Sequence, residues 1–93
     1  MTKAEIVSKI AEKTGVEKQA VLAVVESFME TIKESMVSGE NVYLRGFGSF
    51  TIKRRAEKTG RNISKGVSII IPEHNIPAFK PAKTFVNEVK AAK

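Results

Sequence analysis

The chain contains no cysteine, which excludes disulfides and thiol chemistry and fits a cytosolic compartment. It has a single histidine, His74. With no cysteine to join it, a zinc site lacks a ligand set, and no Ser-His-Asp arrangement converges on it. His74 therefore reads as a loop residue. No apolar run approaches the ~18 residues a membrane span needs. The opening MTKAEIVSKIAEK is charged throughout and lacks the apolar stretch of a signal peptide. Gly46-x-Gly48 is not a dinucleotide loop, because the spacing and the following helix are missing. There are no repeats, low-complexity tracts or linkers. These absences argue against an enzyme, a metal, a cofactor, a small-molecule substrate and a membrane.

What is present is positive charge, unevenly placed. The net charge is +6. Residues 1–52 hold six bases against seven acids; residues 53–93 hold ten bases against three acids. The stretch 53–75 reads KRRAEKTGRNISKGVSIIIPEHN. Its first half sets Lys53, Arg54, Arg55, Lys58, Arg61 and Lys65 against one acid, Glu57. GRNISKG then supplies a Gly/Asn turn, and Val67, Ile69, Ile70 and Ile71 form a return limb before Pro72. Two β-capable limbs around such a turn predict a hairpin. So many cations cannot be buried unpaired, so the hairpin is expected to project into water as an arm. A charge run is often only a solvated face, but solubility is better served by mixed signs. Six bases within thirteen residues, half of them arginines suited to forked contact with phosphate, point to a polyanion.

The rest of the chain divides readily. Thr2-Lys3-Ala4-Glu5 has the form of a capping box, and Ile6, Val7, Ile10 and Ala11 recur at helical spacing, predicting a helix over 3–13 ended by Gly15. Lys18–Val37 is a longer helix, stopped at Ser38-Gly39. Its apolar set includes Val25, Phe28, Met29 and Ile32 and forms a stripe wider than one face needs. A strand Val42–Arg45, a glycine corner at 46–48 and a strand 49–52 lead into the arm. Ile76-Pro77-Ala78-Phe79-Lys80-Pro81 follows, with Pro77 and Pro81 read as ending the strand and as arguing against a central position. Lys83–Lys93 closes the chain as a helix. One domain is expected: a helical dimerisation segment over 1–39, a β region over 40–81 carrying the arm, and a terminal helix over 82–93.

With the arm set aside, about 70 residues remain, a size at which a lone core is marginal. Val25, Phe28, Met29, Ile32, Phe47, Phe50 and Phe79 are the expected core and dimer residues. Either a second subunit covers some of the wide stripe or the strands cover it within one chain. Ile63 at the arm tip is either a tolerated surface apolar or a wedge between base pairs.

The motifs Arg45-Gly-Phe-Gly-Ser-Phe50, Gly60-Arg-Asn62 and Ile76-Pro-Ala-Phe-Lys-Pro81, in that order and across the whole chain, closely resemble the bacterial HU and integration host factor family of histone-like DNA-binding proteins, nearer the HU branch. The resemblance implies an α+β fold: an intertwined dimer of N-terminal helices, a three-stranded antiparallel sheet with a β-ribbon arm, and a C-terminal helix. It implies little sequence preference, minor-groove binding, and bending and compaction of double-stranded DNA in the nucleoid. Bent, nicked or gapped duplexes would be preferred, and pairing with a paralogue is left open. Carried over by position, Lys53, Arg55, Lys58 and Arg61 are arm contacts and Asn62 and Ile63 the tip; Arg54 and Lys65 join the expected DNA contacts as members of the same basic run. Lys80 and Lys83 are saddle contacts and Lys3 a flank contact. The chain departs from the family at Ile63, where proline is usual, at Val86, where lysine is frequent, and at Ala82, where glycine is common.

Overall fold

The structure is a computed structural model that describes residues 1–62 and 67–92. Its elements run α1 (Lys3–Thr14), α2 (Lys18–Val37), β1 (Val42–Leu44), β2 (Gly48–Arg55), β3 (Lys58–Asn62), β4 (Val67–Ile71), β5 (His74–Pro81) and α3 (Lys83–Ala91). They form two compact units, Met1–Ser35 and Met36–Lys93. The α+β class expected from the sequence is the class observed.

In the first unit, Thr2 starts α1 as its N-cap. Its hydroxyl accepts from the Glu5 N–H at 3.3 Å and donates to Glu5 Oε1 at 3.2 Å. The two side chains thus meet each other, where a full capping box would return the carboxylate to the cap's own N–H. Gly15 closes the helix at φ 75°, its N–H bonded to the Ala11 carbonyl. Val7 and Val21, one on each helix, are 2 % and 5 % exposed and are the buried apolar side chains of the described residues.

In the second unit, β1, β2 and β5 form an antiparallel sheet in the order β1-β2-β5. The β1–β2 corner turns through Arg45-Gly46-Phe47, where Gly46 adopts φ 81° and the Phe47 N–H bonds the Leu44 carbonyl. Only Gly46 of the two corner glycines serves the turn. Gly48 lies inside β2 and is needed for a different reason: a Cβ there would sit 2.6 Å from the Lys80 carbonyl oxygen and 2.7 Å from the Phe79 ring. That ring belongs to a chain of aromatic contacts, Phe50–Phe79 at 4.9 Å, Phe79–Phe47 at 5.2 Å and Phe47–Phe85 at 5.5 Å between centroids. The Ala82 N–H bonds the Phe47 carbonyl at 2.8 Å, anchoring the start of α3 to the corner.

Several boundaries differ from the sequence reading. β1 ends at Leu44, because Arg45 enters the turn. α3 ends at Ala91, and Lys93 lies outside the described residues. Pro77 does not end its strand but sits within β5, which is the sheet's edge. The Asn41 side-chain oxygen takes the Ile52 N–H at 3.0 Å on the β1 side. The Ile52–Pro77 pair therefore exchanges no bond, and the donor that proline lacks would have faced away from β2. Finally, the arm is two ladders, not one. β2–β5 pairs as far as Arg55 with His74, and β3–β4 resumes with Lys58 opposite Ile71. Residues 56 and 57 face 72 and 73 across the gap, so the register is kept with no inserted residue.

Phe47 and Phe79, expected as core, are 46 % and 41 % exposed in the single chain; Phe28 and Met29 of α2 are 48 % and 41 % exposed. Val25, Ile32 and Phe50 are half-buried. One chain does not enclose these side chains.

Candidate nucleic-acid interface

Residues directly opposite in an antiparallel ladder share a face, and neighbours along a strand alternate. The observed register therefore sorts the sheet into two sides. One side carries Val42 and Leu44 of β1, Phe50 and Ile52 of β2, and Phe79 and Pro77 of β5. It is apolar and bears the aromatic cluster. The other side carries Tyr43, then Ser49, Thr51, Lys53 and Arg55, then Lys80, Ala78, Ile76 and His74. It holds three cations, two hydroxyl-bearing residues on β2 and no acid. Lys53, Arg55 and Lys80 are exposed, and none of them has a carboxylate partner among the described residues. This side is open, positively charged and lined with hydrogen-bond donors, which suits a polyanion's oxygens.

Lys83 opens α3 just beyond β5. A shallow hollow of about 440 Å³ beside it is lined by Arg45, Ser49, Lys80 and Lys83, among others. The α3 N-cap, Ala82, makes no side-chain hydrogen bond to the first turn, and a helix N-terminus carries a partial positive charge. Arg45 and His74 are additions to the sequence-predicted set. His74 is not in a loop but opposite Arg55 in the ladder, with Nδ1 2.9 Å from the Pro72 carbonyl oxygen. A period-2 count through Asn75 and Ile76 would have placed it beside the cations.

The remaining predicted residues are distributed as follows. Lys58 is exposed at the base of the outer ladder. Arg61 and Asn62 are the last described residues of β3, opposite Ser68 and Val67. Ile63 and Lys65 lie outside the described residues. Lys3 belongs to the other unit, where Nζ is 2.9 Å from Glu26 Oε1 in an exposed pair. Arg54 stands apart from its neighbours. It shares a face with Phe50 and Ile52, and its guanidinium is forked onto Glu73, with Nε donating to Oε2 at 3.1 Å and Nη2 donating to Oε1. The Glu73 hydrogen bond raises its pKa above the usual arginine value.

Residues 1–90 match the family described as "Bacterial DNA-binding protein". Among similar chains is "SPbeta prophage-derived DNA-binding protein HU 2" of Bacillus subtilis, 46 % identical over 91 residues, covering 98 % of this chain and 99 % of that one. "DNA-binding protein HU" of Thermotoga maritima is 39 % identical over 90 residues, covering 97 % and 100 %. Among solved structures, a cocrystal of Anabaena HU with DNA superposes with a TM-score of 0.94 at 39 % identity, covering 99 % of this chain and all of that one.

Proposed function

The chain belongs to the bacterial DNA-binding protein family, in its HU group, and from that premise we propose that it is a nucleoid-associated architectural protein that bends DNA as a homodimer. The family is one of DNA-binding proteins, not enzymes. The observation that carries the finer reading is the sheet face holding Lys53, Arg55 and Lys80 with no acid among them. In this reading the face seats the duplex, and the arms follow the backbone into the minor groove. Cations displace condensed counterions from phosphates, so affinity comes mainly from charge. The minor groove distinguishes little beyond A·T from G·C, so base readout is small. Selectivity then comes from deformability, and bent, nicked or gapped duplexes are favoured. Ile63 at the tip is assigned as the wedge that opens a base step.

The half-exposed Phe28, Met29, Phe47 and Phe79 support the dimer, since a second subunit would remove this apolar area from water. Pairing with a paralogue would use the same surfaces. Filter binding of linear and nicked duplexes across a salt series tests the proposal, with bending followed by energy transfer between duplex ends. The expected result is steep salt dependence, tighter binding to the nicked form and a shortened end-to-end distance. A flat salt response, or binding without bending, overturns it.

A further inference from the structure

The arm's two ladders keep one register across a gap of two residues on each limb. Nothing in the backbone pairing fixes the outer ladder's direction relative to the inner one there. The return limb of the gap, Pro72-Glu73, is nevertheless tied to the inner ladder twice. Glu73 receives the fork of Arg54, which sits on the apolar side of the sheet. The Pro72 carbonyl meets His74 Nδ1, on the cationic side. No such side-chain tie holds the outgoing limb, Ala56-Glu57, among the described residues.

We propose that Arg54 and Glu73 form a positioning clasp that aims the outer arm, and that Arg54 is not itself a phosphate contact. Three observations converge on this. By register Arg54 faces away from Lys53, Arg55 and Lys80. Its fork is already occupied in the two-bond geometry that a phosphate would otherwise use. Glu73 is the diagonal neighbour of Arg54 across the ladder, within reach only while the return limb keeps its present course. A clasp of this kind raises affinity by ordering the arm before DNA arrives. This inference rests on the DNA-binding reading above for its consequence, but not for its geometry.

The test uses charge-conserving changes, so that simple electrostatics is held constant. Glu73→Asp keeps the carboxylate but shortens its reach; Arg54→Lys keeps the cation but loses the fork. Since the chain has no cysteine, spin labels can be placed through Thr51→Cys on the inner ladder and Thr59→Cys on the outer, in one subunit diluted with unlabelled protein. The free parent protein should give one narrow distance, and Glu73→Asp and Arg54→Lys should each broaden it. Both should weaken duplex binding about two- to fivefold per arm, the factor an exposed ion pair of ordinary strength supplies, with the salt slope unchanged. An equally narrow distance in Glu73→Asp overturns the clasp. So does tighter binding with a steeper slope, which would make Arg54 a phosphate contact held in reserve. If the parent itself fails to bind duplex while the distance behaves as expected, the functional reading falls and the clasp stands.

Discussion

Replacing Arg55 by alanine should alter how binding depends on salt more than how the protein folds. Arg55 ends the inner ladder opposite His74, is exposed and has no carboxylate partner among the described residues. It shares its face with Lys53 and Lys80, and Lys83 lies just beyond. If each of these four covers one phosphate in each protomer, a dimer makes about eight contacts, and log K falls against log salt with a slope of about −7. Between 50 and 200 mM salt that is a loss of about 10⁴ in affinity. Arg55→Ala removes two contacts per dimer, so the slope should relax to about −5. The two titrations should differ most at low salt and converge as salt rises. Fluorescence anisotropy with a labelled duplex of fixed length gives both slopes directly, and thermal melting checks that the fold is intact. Parallel titrations, with affinity lowered equally at every salt, would refute the argument. They would mean that Arg55 orders the arm and does not neutralise a phosphate.

Gly48→Ala should destabilise the protein by about 2 kcal/mol, because the new methyl meets both a backbone carbonyl and the Phe79 ring. Its melting midpoint should fall by about 8–16 °C, and an unchanged midpoint would contradict this packing. Phe47→Ala should lose about 3 kcal/mol in urea unfolding, at the lower end for an aromatic truncation because the ring is only half-buried in one chain. The loss should grow on dilution, and a variant that folds normally but no longer binds DNA would overturn Phe47's structural assignment. Ile63→Ala should reduce bending measured by energy transfer while largely preserving affinity; an unchanged bend would refute the wedge.

The helices were the most legible elements of the chain, because their signals are local. Thr2, the i/i+3/i+4 spacing of Ile6, Val7 and Ile10, and the left-handed Gly15 act within a turn of where they are read. The cationic hairpin was legible from composition, since burial of six unpaired bases is prohibitive. Its interruption was not, because Pro72 reads equally well as the end of a strand and as a gap between two ladders. The role of Pro77 depended on which neighbour receives the Ile52 N–H. The answer lies with Asn41, eleven residues away in sequence. Likewise, the phenylalanines were readable as apolar, but their half-exposure in the single chain was not. Arg54 looked like its neighbours in a run of three bases; only the register separates it from them.

The rim of β5 bears on how copies of the chain meet one another in concentrated solution. An outer strand with free amide hydrogens invites neighbouring molecules to add to it, and crowding multiplies the opportunities. Here Pro77, and by the same alternation Pro81, erase donors from that rim without weakening the strand's attachment to β2. Returning those amides, with Pro77→Thr for example, would leave each molecule intact but sticky, and concentrated stocks should then creep toward fibrous precipitate.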